Sequence, residues 1–161
     1  MTHKRINHAL WELNQKAGGE ALDKSESEFG LLVHLADFSI IRKDIDEIQG
    51  FMLGMASGRD IEHFSYQWFM ARYDNFLYID RVVVDESARG NALASSMYEE
   101  ARFWARQNGI DKIVCQLYDR PPMPEAHTQL KELGFEALES VMLPSREIVT
   151  MYQRSTAIAT P

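Results

Sequence analysis

The segment Phe76 to Tyr98, FLYIDRVVVDESARGNALASSMY, contains the residues whose types and spacing best support chemistry. An apolar run, Phe76 to Val84, passes through an acidic turn into Arg89-Gly90-Asn91-Ala92-Leu93-Ala94-Ser95, which opens a helical pattern. A helix start leaves its first amide protons without intrahelical acceptors and carries roughly half a positive charge, so phosphate oxygens bind there readily. Gly90, Ala92 and Ala94 keep bulk away from that backbone, and Arg89 adds a cation. The junction predicts an anion site made by the amides of Arg89 to Ser95.

Within the apolar run stand two charges, Asp80 and Arg81. A central strand covered on both faces is expected to be almost wholly apolar, so both need an explanation. Alternation puts Phe76, Tyr78, Asp80, Val82 and Val84 on one face and Leu77, Ile79, Arg81 and Val83 on the other. On that reasoning Asp80 and Arg81 do not pair with each other. Either each finds another salt-bridge partner or a helix end and holds packing, or Asp80, beside Tyr78, faces a cleft and handles a proton.

Periodicity supplies the elements that position these residues. Ala9, Leu10 and Leu13 with Trp11 predict a short helix over His8 to Gln15, ended by Gly18-Gly19. Asp23 or Ser25 caps a second helix to about Leu35, with Glu26 and Glu28 in its first turn. Phe38 to Arg42 and Gly50 to Met55 read as a hairpin around Lys43 to Glu47. After the central strand, a helix over Asn91 to Asn108 carries its apolar stripe on Leu93, Met97, Ala101 and Trp104 and stops at Gly109. Lys112 to Tyr118 is the next strand; reached through a helix, it pairs parallel with the central one. Pro121, Pro122 and Pro124 precede a helix over Glu125 to Leu133, and a final hairpin runs to Arg154. Ser155 to Pro161 reads as a frayed tail. Between hairpin and central strand, Phe64, Tyr66, Trp68, Phe69, Tyr73 and Phe76 form core, a subunit surface in a homodimer, or a lid whose rings favour a cation.

At 161 residues the chain has the size of one domain, taken as 1–154 with a tail, and buries on the order of two thirds of its unfolded surface. A net charge of −7 disfavours nucleic acid and suits a cationic small partner. The single cysteine, Cys115, lies in an apolar stretch, which points to a structural role in a reducing compartment. The N-terminal residues lack the apolar core of a signal peptide and no window approaches the roughly 20 apolar residues of a membrane span, so a cytoplasmic location off the membrane is expected. Five histidines show no ligand spacing, and no metal is expected.

Arg89-Gly90-Asn91-Ala92-Leu93-Ala94 resembles the acyl-CoA signature Arg/Gln-x-x-Gly-x-Gly/Ala of the GNAT superfamily of N-acetyltransferases. As there, a strand ending Val-Val-Val and an acidic turn precede it, and Leu133-Gly134-Phe135 follows late. The likeness covers roughly Ile40 to Arg154; Ala92 departs from it, standing where the family usually has glycine. It implies an α/β fold, a mixed twisted sheet splayed between the central strand and Lys112 to Tyr118 and flanked by helices, with the usual first strand short or absent. It also implies acetyl-CoA as cosubstrate, held by the amides of Arg89 to Ser95 and of Val82, Val83 and Val84. The reaction implied is acetyl transfer to a primary amine of a small molecule or peptide by direct attack in a ternary complex. The family's carboxylate base often stands at the position of Tyr78; here the acid is Asp80, about 6.5 Å along the same face. Its usual tyrosine acid is Leu130, which leaves His127, one turn upstream, or Tyr118 to protonate the thiolate. A non-catalytic acyl-CoA-binding or sensing module is the alternative. The absence of a Walker lysine and of a Gly-x-Gly-x-x-Gly run disfavours other nucleotide-binding folds.

Overall fold

The computed structural model describes residues 3–90, 92–120 and 122–158; the side chain of Glu20 lies outside that description. Among the described residues, five α-helices and six strands follow in order: α1 His3–Ala17, α2 Glu26–Leu35, β1 Phe38–Asp44, β2 Glu47–Ala56, α3 Phe64–Met70, β3 Leu77–Val84, α4 Leu93–Gln107, β4 Lys112–Tyr118, α5 Pro124–Glu132, β5 Glu136–Met142 and β6 Ile148–Ser155. Short 3₁₀ turns cover Glu20–Leu22 and Glu86–Ala88. The strands hydrogen-bond in the order β1-β2-β3-β4-β6-β5, with β3 and β4 parallel and the pairs β1–β2, β4–β6 and β5–β6 antiparallel. This is the expected mixed α/β sheet, and α1 is the first described element. Two compact units divide the chain, Met1–Met55 with Ile79–Glu99 and Ala56–Tyr78 with Glu100–Pro161.

In the first unit, α1 reaches further than its apolar core of Leu10 and Leu13 requires. Gly18 ends it: its amide bonds to the Asn14 carbonyl at 2.9 Å, and a Cβ there would stand 2.5 Å from that oxygen. Ser25 caps α2 with a complete capping box, its hydroxyl accepting from the Glu28 amide while the Glu28 carboxylate accepts from the Ser25 amide. The β1–β2 register slips past Arg42 opposite Gly50, which leaves Gln49 bulged; its carbonyl accepts from the Asp85 amide at 2.8 Å. Gly50 lets β2, β3 and the start of α4 close up, since a Cβ would meet the Val83 carbonyl at 3.0 Å and Leu93 Cδ2 at 3.1 Å. The start of α4 is thereby seated against the strands.

In the second unit, β4 and β6 pair over seven residues from Lys112–Ser155 to Tyr118–Val149. The parallel β3–β4 ladder includes Leu77 opposite Ile113 and Tyr78 opposite Val114. The aromatic segment resolves as α3, with Tyr66, Phe69, Phe76 and Tyr78 buried against one another. Ring density here makes core, while Phe64 is exposed and Trp68 half-buried with the Arg72 guanidinium 3.6 Å from its ring centre.

Two expectations need correcting. The buried residues of α4 are Met97, Tyr98, Ala101 and Ala105, three of them in a row of four-residue spacing, while Trp104 is half-buried, because it falls one residue off that row. The end of the chain is tied down through Ala157: Thr156 is buried, donates its hydroxyl to the Ile110 carbonyl at 2.6 Å and its amide to the Asp111 carbonyl at 3.0 Å, and Arg102 donates to the carbonyls of Ser155 and Ala157. Residues 159–161 lie outside the described residues.

Candidate active site

The loop after β3 is held from its base. Asp85 caps the 3₁₀ turn, accepting from the Ser87 amide and hydroxyl, and takes an ion pair from Lys16 Nζ at 3.1 Å. The Ser87 hydrogen bond, then Lys16, holds its carboxyl below the usual aspartate value. Arg89 Nη2 donates to the Ala17 carbonyl at 3.1 Å, so the cation assigned to the anion site also closes the end of α1. Gly90 takes φ +87° with open space where a Cβ would stand, and Ala92 takes φ +57°. Ala92 then starts α4, its carbonyl accepting from the Ser96 amide at 3.0 Å. Gly90 and Ala92 are exposed, and Leu93, Ala94 and Ser95 are half-buried at the first turn. Gly90 and Ala92 are both left-handed, and the first turn of α4 that follows Ala92 has amides without intrahelical acceptors, which suit an anion. Asn91 itself lies outside the described residues.

Along β3, Val82 and Val84 are half-buried and Val83 is buried. Asp80 and Arg81 do pair: Arg81 Nε lies 2.7 Å from Asp80 Oδ2, and the side chains are 4 % and 3 % exposed for Arg81 and Asp80. Alternation fixes Cβ directions, but an arginine stem is long enough to fold back along the strand and bring its guanidinium to its neighbour's carboxylate. Arg81 Nη1 also donates to Asn14 Oδ1 and to the Leu22 carbonyl, each at 3.0 Å. Asn14 is fully buried and reaches the Leu22 carbonyl too, through Nδ2 at 2.7 Å. These contacts tie β3 to α1 and the turn after it. The sequence carried a faint signal for this, a polar Asn14 among the buried positions of an amphipathic helix.

Tyr78 is buried, with the rings of His63, Tyr66 and Phe69 centred 5.5, 6.1 and 6.0 Å away. His63 caps α3, its Nδ1 accepting from the Tyr66 amide. His127 lies on α5 among three partners: Tyr152 donates its phenol to Nδ1 at 2.7 Å, and Nε2 donates to the Tyr118 carbonyl at 3.0 Å with Asp119 Oδ1 at 3.4 Å. Thr150 Oγ1 stands 2.9 Å from both Asp119 oxygens. His127 and Tyr118 thus come together, and Tyr152 and Asp119 join them, which sequence spacing did not reveal. Cys115 is buried and burial pushes its thiol up to about 12, so it stays a thiol. Leu130 is buried. Among the described residues no three His, Cys, Asp or Glu side chains are grouped to hold a metal, and no helix is long and apolar enough to cross a membrane.

Structures of similar fold include acetyltransferases. The ribosomal-protein-S18-alanine N-acetyltransferase of Escherichia coli is 12% identical with a TM-score of 0.73, covering 99% of this chain and 93% of its own. An aminoglycoside 6′-N-acetyltransferase complexed with coenzyme A is 11% identical, TM-score 0.73, covering 98% and 94%. The NatC complex bound to Gag peptide and CoA is 13% identical, TM-score 0.66, covering 94% and 93%. No curated protein matches the sequence. Residues 4–135 match the model of the Acetyltransferase (GNAT) family, and the chain belongs to that family.

Proposed function

We propose that the protein transfers the acetyl group of acetyl-CoA to a primary amine of a small molecule or peptide, by direct attack while both substrates are bound. The observation that carries this reading is the loop of Gly90 and Ala92, both left-handed, running into the first turn of α4 within a family of acetyltransferases. The residues fit a pyrophosphate: Gly90 leaves open space for it and the first-turn amides of α4 supply donors. Backbone groups of Val82 to Val84 suit the pantetheine arm and a thioester oxygen as it gains charge. Acetyl-CoA, when bound, supplies an acetyl thioester whose thiolate is a tolerable leaving group. Solved structures of the same fold include an aminoglycoside 6′-N-acetyltransferase complexed with coenzyme A and the NatC complex bound to Gag peptide and CoA, which supports an amine acceptor.

The acceptor remains a class: the net charge of −7 favours a cationic one. In this reading Asp80 holds Arg81 in place and does not abstract the proton, because its carboxylate is already committed to a buried guanidinium. That same commitment, with Leu130 buried, favours a second reading, a module that binds acyl-CoA without turning it over. Thiol release separates the two. Acetyl-CoA incubated with a panel of polyamines, aminoglycosides and short peptides is expected to release thiol with at least one amine; CoA binding with no release from any supports the second reading.

A further inference from the structure

A site for phosphates conflicts with nearby negative charge, yet two negative features of the first unit lie at the loop that follows β3. Asp85 opens that loop, and its carboxyl is held below the usual aspartate value first by Ser87 and then by Lys16, so it is ionised at neutral pH. The 3₁₀ turn Glu86–Ala88 keeps Gly90 on the order of 10 Å from it, about one Debye length at 0.1 M salt. The second feature is the end of α1, whose last carbonyls carry roughly half a negative charge. Two cations cover them. Arg89 Nη2 donates to the Ala17 carbonyl at 3.1 Å, and Lys16, in the last turn of α1, places Nζ 3.1 Å from Asp85 Oδ1. Asp85 is fixed in place: the Ser87 amide and hydroxyl donate to its carboxylate, and its own amide donates to the Gln49 carbonyl at 2.8 Å. Lys16 is a free arm by comparison, its side chain 70% exposed against 13% for Asp85. The cleft beside the pair is lined by Glu12, Asp46 and Glu47 with Lys43, so without Lys16 the base of the loop is acidic.

We propose that Lys16 is a positioning residue for acyl-CoA that acts through Asp85, cancelling the carboxylate at the base of the anion loop so that the phosphates meet amides and Arg89 with no bare negative charge behind them. The proposal rests on the acetyltransferase reading and brings into the CoA site a residue of α1, outside the loop between β3 and α4. Held by Ser87 and Gln49, the Asp85 carboxylate cannot turn away when phosphates arrive, so its neutralisation has to come from a partner that approaches it. Lys16 suits that task, since its ammonium is a point charge on a long stem and needs no fixed geometry. An ion pair with an exposed lysine contributes little to folding, which separates its effect on binding from any effect on stability.

The test is calorimetric titration with CoA, which requires no acceptor. Lys16→Met keeps the stem and removes the charge. At about 0.1 M salt it is expected to weaken CoA binding about threefold, and the difference from wild type should vanish near 1 M salt, where the Debye length is about 3 Å. Lys16→Arg keeps the charge and should bind like wild type. Asp85→Asn keeps an oxygen for the Ser87 amide and loses the charge, so adding it to Lys16→Met should restore wild-type affinity, the base of the loop being balanced again. Lys4→Met removes the same charge from the same helix about 18 Å away and should leave affinity unchanged. A folded Lys16→Met protein that binds CoA as tightly as wild type at the lower salt overturns the proposal alone. So does a loss that persists at the higher salt, that Asp85→Asn fails to repair, or that Lys4→Met matches, since each shows something other than the charge of Asp85. Wild type that gives no heat with millimolar CoA overturns the acetyltransferase reading with it.

Discussion

Two residues decide how the family's chemistry is fitted to this chain. Ala92 holds φ +57°, a conformation that L side chains adopt at a cost and glycine adopts freely. Ala92→Gly is therefore expected to raise stability by about 1 kcal/mol, read as a higher Tm, and to bind CoA at least as tightly. An Ala92→Gly protein less stable than wild type would mean that the left-handed turn carries no strain. Asp80 neutralises a guanidinium that is almost wholly buried. Asp80→Asn leaves that charge without its partner and is expected to cost about 3–5 kcal/mol, measured by denaturant unfolding, with modest change in kcat per folded molecule. A stable Asp80→Asn protein with a kcat lowered about 10²-fold would return the base to Asp80. The sequence marked both positions as unusual, Ala92 against the family pattern and Asp80 against its apolar strand. What it left out was the partner of Asp80, because strand parity predicts where a side chain starts and not where a long one ends.

At the scale of elements, short-range signals were legible and long-range ones were not. Ser25 with Glu28, the apolar runs of β1 and β2, and Gly109 after α4 are local patterns whose meaning depends on a few neighbours, and each element stands where the pattern put it. The Gln49 bulge, the ties of Thr156 to Ile110 and Asp111, and the meeting of Tyr152 with His127 join residues far apart in sequence, so no periodicity announces them. The α1–α2 contact makes a further prediction. His8 Nδ1 and Nε2 stand 2.5 Å from Glu26 and 2.8 Å from Glu12, linking the two helices. The Glu26 hydrogen bond, opposed by desolvation and helped by Glu12, raises the His8 pKa above its ordinary 6.5. A raised folded-state pKa contributes stability that is fully present below 6.5 and is lost as pH rises through the folded value. Tm measured from about pH 6 to about pH 8 should fall more in wild type than in His8→Ala. Parallel curves for the two proteins would show that the helix link carries no proton-dependent stability.

For the molecule as a whole, the order of elements was legible because a strand, an Arg-Gly loop, an amphipathic helix and a second strand leave few ways to build a sheet. The acceptor was not legible, since its recognition depends on side chains brought together from separate segments. Acetyl transfer by this protein depends on the amides following β3 holding the pyrophosphate of acetyl-CoA. Isothermal calorimetry of CoA against wild type and Ala92→Val tests it most directly. The account predicts binding by wild type and clearly weaker binding by Ala92→Val, whose β-branched side chain crowds the left-handed turn. Equal affinity in two folded proteins, or no heat from wild type at millimolar CoA, would contradict it.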